Sequence, residues 1–136
     1  MRRAFCLAVI GLALVGCQIT PDPQRNLQPL PVDGPVLTYN EVVQRARSQA
    51  MIATEAFYVD QWADVERAAI SLEDTARYLP RALEIPTANK ASVEARATSL
   101  GREATALRTA VKSRDEKKTN EIMQRINLLV RELRPE

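Results

Sequence analysis

The sequence predicts an all-α fold, an antiparallel up-down-up-down four-helix bundle preceded by a signal peptide and a proline-rich tether. Three observations carry this expectation. Beyond Leu37, apolar residues recur at intervals of three and four, the repeat of a helix that buries one face. Ahead of that region, Pro21, Pro23, Pro29, Pro31 and Pro35 hold five of the eight prolines. At the start, a basic pair, an apolar run and a small residue lead in order to Cys17. With 136 residues in all, one folded domain is expected.

The first segment reads as an export signal. Arg2 and Arg3 form a basic n-region, and Ala4 to Val15 is an apolar run of a dozen residues, short of the roughly 20 needed to cross a bilayer core. Leu14, Val15, Gly16 and Cys17 have the order of a lipobox. Small Gly16 admits a lipoprotein signal peptidase, which cuts before Cys17, and the Cys17 thiol receives diacylglycerol. Stable attachment then rests on several acyl chains, because one chain binds only marginally. Arg2, Arg3 and Phe5 also match part of a twin-arginine signal, without the serine before or the lysine after. Gln18, where an aspartate tends to retain lipoproteins in the inner membrane, points outward. The expected location is the cell envelope, at the outer membrane facing the periplasm in a Gram-negative cell. Residues 1–16 are thus signal peptide, 17–37 lipidated cysteine and tether, and 38–136 the helical domain. From Gln18 to Leu37 the proline-rich chain is expected to be a spacer, partly polyproline II, with a reach of about 60 Å at ~3.1 Å per residue.

The helices follow in order. Thr38 with Glu41 three residues on is a capping-box signature, and Val42, Ala46, Ala50, Ala53 and Phe57 then mark helix one over 39–57. Trp62, Val65, Ala69, Leu72, Ala76 and Leu79 mark helix two, which ends near Pro80, with apolar packing continuing through Leu83 and Ile85. Pro86 and Thr87 reset the chain. Val93, Ala97, Leu100, Ala104, Leu107 and Val111 give helix three. Ile122, Ile126, Leu129 and Leu133 give helix four, capped by Asp115. Neither 58–61 nor 112–118 contains Gly or Pro, yet the apolar phase breaks at the first and polar residues fill the second. An unbroken helix through 58–61 would exceed ~60 Å and overhang its partners. Four similar segments with short connections form a bundle; a three-helix bundle with one long helix is the alternative.

On the helix surfaces, Glu41 with Arg45, Glu73 with Arg77, and Glu121 with Arg125 are expected to pair at i,i+4, each contributing about 0.2–0.5 kcal/mol. Frequent alanines on the inward faces bring helices close, and Gly101 within helix three is expected to serve a close backbone approach.

Composition excludes much chemistry. The chain has 19 basic and 17 acidic residues, and loss of Arg2 and Arg3 with the signal leaves 17 of each. That balance gives no case for nucleic acid. There is no histidine; Cys6 leaves with the signal, and Cys17 is acylated. Ser-His and Cys-His nucleophile pairs, histidine bases and thiolate or imidazole zinc sites are thereby removed. Neither an enzyme, a metal site nor a resident cofactor is expected. Asp60 and Asp64 stand one turn apart, where they could share a hard cation, but read first as residues at a helix start, where the dipole favours anions. Glu73 with Asp74, and Asp115 with Glu116, are sequence neighbours that point to different sides of a helix, so no glycosidase-like pair is indicated.

The order of elements, Trp62 at the opening of helix two, and the run Ala110, Val111, Arg114, Asp115 leading to a last helix ending at Arg134 resemble the periplasmic cytochrome c-prime class of four-helix bundles. The resemblance covers 38–134 and implies the fold and the periplasmic compartment. In that family haem is attached through C-x-x-C-H near the end of the last helix. Here Ile126, Asn127, Leu128, Leu129 and Val130 occupy that stretch without cysteine or histidine, which argues against covalent haem and electron transfer. Met51 and Met123 remain as candidate ligands of a noncovalent haem or copper, a role set against ordinary core filling.

One constellation stands out as a binding surface. In the predicted topology Phe57, Tyr58 and Trp62 gather at the bundle end opposite the tether, beside the loop carrying Arg114, Lys117 and Lys118. Aromatics rimmed by basic groups form a candidate docking patch, with closure of the core end as the alternative use. The expected function is therefore that of a membrane-anchored binding or scaffolding module. Its partners would be the lipid membrane, through acylated Cys17, and an envelope protein at the end farthest from the membrane. A carrier or sensor of a small ligand, metal or noncovalent haem is the alternative.

Overall fold

The computed structural model describes residues 27–30, 36–87 and 90–133. Cys17 and the signal segment 1–16 lie outside the described residues, as do 18–26 and 31–35. The described chain forms helices α1 (Tyr39–Tyr58), α2 (Trp62–Tyr78), α3 (Lys90–Lys112) and α4 (Glu116–Glu132), with a 3-10 turn Leu79–Arg81 after α2. Each helix packs on its sequence neighbour, and α4 closes back on α1. This is the predicted four-helix bundle, and the break at 58–61 disposes of the long-helix alternative.

The helix starts are built as their sequences suggest. Thr38 accepts the Glu41 N–H on its hydroxyl, while the Glu41 carboxylate accepts the Thr38 N–H at 2.8 Å, completing the capping box of α1. Asp115 caps α4 by accepting the Lys118 N–H at 3.0 Å. α2 begins at Gln61, whose side chain makes no capping bond.

Both breaker-free junctions are Schellman turns, in which the two amides past a helix end bond back to carbonyls near its last turn. After α1, the Gln61 N–H bonds the Ala56 carbonyl at 2.8 Å and the Asp60 N–H bonds that of Phe57 at 3.1 Å. After α3, the Asp115 N–H bonds the Ala110 carbonyl at 3.1 Å and the Arg114 N–H bonds that of Val111 at 3.0 Å. The left-handed position that usually holds glycine is taken by Asp60 (φ 59°) and Arg114 (φ 51°). Neither junction therefore carries the glycine that usually marks such a turn.

The core is filled by Val42, Leu72, Leu100, Leu107, Ile122 and Ile126 with many small residues, including Ala46, Ala50, Ala53, Ala68, Ala69 and Ala104, all buried. Alanine at a contact lets helix axes approach within the short end of the usual 8–10 Å range. Across the α1–α2 seam the Thr75 hydroxyl donates to the Gln49 side-chain oxygen at 2.9 Å, both residues fully buried. Such a pair fixes the register of the two helices, because slipping it would leave buried polar atoms unsatisfied.

Several local expectations need correction. A Cβ added at Gly101 would meet Ala76 Cβ at 3.6 Å, an ordinary contact, so no close backbone approach requires glycine there. Of the three surface pairs, Glu73 lies 3.9 Å from Arg77, which is closer to Asp74 at 3.0 Å. Glu41 is engaged at its cap, and Arg45 reaches instead to the Gln28 carbonyl. Arg125 crosses to Glu103 of α3 at 2.9 Å. The Glu73–Arg77 pair is thus present, while Arg45 and Arg125 turn to remote partners, since an exposed i,i+4 pair is worth only a few tenths of a kcal/mol.

The largest departure concerns the spacer. Leu37 is fixed at the base: its N–H donates to the Tyr78 hydroxyl at 2.9 Å, and its carbonyl accepts the Leu83 N–H at 2.9 Å. Leu27 packs partly buried against the core, and its carbonyl accepts the Ser71 hydroxyl at 2.9 Å in the middle of α2. Leu27 and Gln28 therefore lie against the α1–α2 face and are not free spacer.

Candidate docking surface at the turn end

The turns at 59–61 and 113–115 lie at one end of the bundle, since each joins consecutive antiparallel helices. On α1 the last turn brings up Phe57 and Tyr58, whose rings meet edge to face at 5.8 Å. Trp62, opening α2, stacks edge to face on Phe57 at 5.7 Å. Edge-to-face pairs of this kind add about 0.5–1.5 kcal/mol beyond area burial. The indole N–H donates to the Asp60 carboxylate across the turn. Phe57 and Trp62 are thus half-buried and locked, whereas Tyr58 is 75% exposed and Val59 63% exposed.

Arg114, Lys117 and Lys118 stand exposed at the same end, and among the described residues none is in an ion pair. The acidic groups there are mostly engaged: Asp60 by Trp62, Asp64 by Arg67, Asp115 at its cap, and Glu66 by Lys112 at 3.8 Å. Exposed Glu116 and Glu121 balance part of the basic charge. The six predicted patch residues share one end, but only the three aromatics contact one another.

Beside this end runs a groove of about 360 Å³ between α1 and α2, floored by Ile52, Ala56 and Val59 and bordered by Leu27, Glu55 and Arg67. No motif or period in the sequence marks it. Val59 falls in a turn, where no periodicity marks it, and Leu27 lies in a stretch read as spacer. A second groove, about 410 Å³ between α3 and α4, has Leu128 among Arg96, Arg131 and Glu132. Its rim closes on itself, with Arg96 3.8 Å from Glu132.

Electrostatics away from the turn end serve packing. Burial lowers the Arg45 pKa against the opposing pull of Asp74, and burial raises that of Tyr39 against Arg96 and Arg47. Asp60 and Asp64 face different partners, the indole and Arg67, and do not form a shared cation site. Among the described residues no group of three or more Asp or Glu converges as a metal site. Met123 is buried in the core, whereas Met51 is 52% exposed, so the two candidate ligands occupy opposite environments. No helix among the described residues is long and apolar enough to cross a membrane. No family model, curated protein or solved structure matches this chain.

Proposed function

We propose that this protein is a lipid-anchored envelope module that acts by binding or scaffolding rather than by catalysis. Cys17 carries the anchor, and the turn end of the bundle is the docking surface. One observation carries the docking surface: Tyr58 and Val59, the two most exposed large apolar side chains among the described residues, are neighbours at this end. Contiguous exposed apolar surface on a rigid frame is the usual mark of an interaction site. The frame is rigid because Phe57, Trp62 and the Schellman bonds hold the turn. Lipobox order and the short apolar run support the anchor, and the resemblance to periplasmic bundles supports the compartment.

Intact mass of the protein purified from membranes tests the anchor. Cleavage before Cys17 with added acyl chains is expected, and Cys17→Ser is expected to abolish both acylation and cleavage; an unmodified Cys17 would overturn it. Optical and metal analysis of the mature protein tests the mode of action. A stoichiometric chromophore or copper would replace the binding module with a ligand carrier.

A further inference from the structure

We infer that the turn end faces the membrane to which the protein is tethered, and that the partner of the Tyr58–Val59 patch is the phospholipid headgroup layer. This rests on Cys17 as the lipid anchor.

The path of the chain carries the first step. The Gln49–Thr75 bond sets the level of α2 against α1, so Ser71, one turn nearer the 59–61 turn, lies level with residue 53 of α1. Leu37 is held at the base and Leu27 is bonded to Ser71. Read from Leu37 back to Leu27, the chain therefore climbs about 22 Å along the bundle, at ~1.5 Å per helical residue passed. From Leu27 roughly 8 Å remain to the turn end on the same scale. Cys17 is ten residues further on, a reach of about 31 Å in extended proline-rich chain. A return to the base would spend most of that reach in doubling back. Leu27, about 8 Å from the aromatic end and about 22 Å from the base on the same scale, thus lets Cys17 meet a membrane at the aromatic end with the least constraint on the tether, the reverse of what a free spacer starting at Leu37 would give.

Side-chain chemistry carries the second step. Tyr and Trp place an apolar ring and a polar tip at one level, which suits the boundary between headgroups and acyl chains. Exposed Tyr58 and Val59 supply the apolar contact, while Arg114, Lys117 and Lys118, in no ion pair among the described residues, meet lipid phosphates. Glu116 and Glu121, together with Asp60 and Asp115, whose partners are uncharged N–H groups, outnumber these three cations, so the surface suits zwitterionic headgroups and gains nothing from a strongly anionic bilayer. The base also exposes Val36 and Leu83, but its aromatic there, Tyr78, has its hydroxyl bonded to Leu37. Contact at the turn end need only be weak, because a short tether holds the two surfaces at millimolar effective concentration.

The test uses full-length acylated protein in vesicles of phosphatidylethanolamine and phosphatidylglycerol, labelled at one introduced cysteine. Ser113→Cys reports on the turn end and Leu83→Cys on the base; both positions are exposed, and acylated Cys17 leaves the new thiol alone. A headgroup-attached quencher is expected to quench the Ser113 label at least about twofold more than the Leu83 label, as an interfacial turn end requires. Tyr58→Ser with Val59→Ser is expected to abolish that difference with helix content unchanged by circular dichroism. Equal quenching, stronger quenching at Leu83, or a difference that survives the double variant would overturn the inference. So would a Ser113 label shielded only when envelope proteins are added, which makes a protein the partner. If Cys17 proves unacylated by mass, the anchor falls and the inference with it; acylated protein with the reverse quenching order removes the inference alone.

Discussion

The turns after α1 and α3 share one backbone and differ in almost everything attached to it. Each places a non-glycine residue in the left-handed region and makes the same two return bonds. At 59–61 the turn is locked from outside by Trp62, which stacks on Phe57 and bonds Asp60, while the α2 cap position holds an idle Gln61 side chain. At 113–115 no aromatic is present, and Asp115 itself caps α4. One turn is therefore stabilised by side-chain packing and the other by its capping bond. Packing leaves an apolar surface at the tip; capping leaves a polar one.

The greatest expected effect separates them at the aromatic lock. Trp62→Ala removes the half-buried indole, its stack on Phe57 and its bond to Asp60, and should cost about 2–3 kcal/mol, below the 3–5 of a fully buried tryptophan. The equivalent first helical residue of α4, Glu116, is exposed, and Glu116→Ala should stay within about 0.5 kcal/mol. Urea denaturation of the two variants checks this, with helix content retained in both. A Trp62→Ala cost no larger than that of Glu116→Ala would mean that the lock contributes nothing.

These contrasts also mark what was legible. Helix limits, the Thr38–Glu41 box and the Asp115 cap could be read directly, because each rests on residues within one turn of one another. The apolar phase break at 58–61 located a turn but not its geometry, since Asp60 and Arg114 stand where glycine is the usual signal. Leu27 was the more instructive omission. Prolines around it advertise a spacer, and a single leucine carries no period; only the Ser71 and Arg45 donors, remote in sequence, hold residues 27–28 on the bundle. The aromatic trio was visible as a cluster because Phe57, Tyr58 and Trp62 lie within one turn region. Val59 and the α1–α2 groove needed the fold.

Exchanging the caps is the next step down. Asp115→Ala should destabilise the bundle by about 1 kcal/mol, the typical worth of a capping side chain. Gln61→Asn should add about 0.5 kcal/mol at α2 by supplying the missing acceptor. Asparagine is preferred to aspartate there because Asp60 and Asp64 already crowd the turn with negative charge. Thermal midpoints moving in opposite directions would confirm the exchange. A neutral Asp115→Ala would show that the Schellman bonds alone set the second turn.

The left-handed residues should then respond with opposite signs. Arg114 makes no side-chain bond among the described residues, so Arg114→Gly relieves strain of roughly 1–2 kcal/mol. Glycine's greater freedom in the unfolded chain offsets about 0.5–1 kcal/mol of that gain. The net expectation is a gain of about 0.5 kcal/mol. Asp60 tolerates the left-handed region better and holds Trp62, so Asp60→Gly should lose about 0.5–1 kcal/mol with the hydrogen bond. Two stabilising glycines would show that the indole bond to Asp60 is not formed in solution.

The smallest effect extends the comparison to the third described helix start, α1, where capping depends on a charge. The Thr38 N–H, and secondarily its hydroxyl, hold the Glu41 carboxyl below its ordinary pKa of 4.5. A depressed folded-state pKa contributes stability that is present above the unfolded value and lost as pH falls through the folded one. The loss therefore begins as pH drops toward 4.5 and is complete below the lowered value. Glutamine keeps an acceptor at this position but does not titrate, so Glu41→Gln removes only the pH-dependent part. Measured from pH 7 to pH 3, the Tm difference between the parent and Glu41→Gln should be positive at neutral pH and shrink to nothing in acid. A difference that stays constant across the range would show that the Thr38–Glu41 box holds α1 by shape and hydrogen bonding, with no contribution from the carboxylate charge.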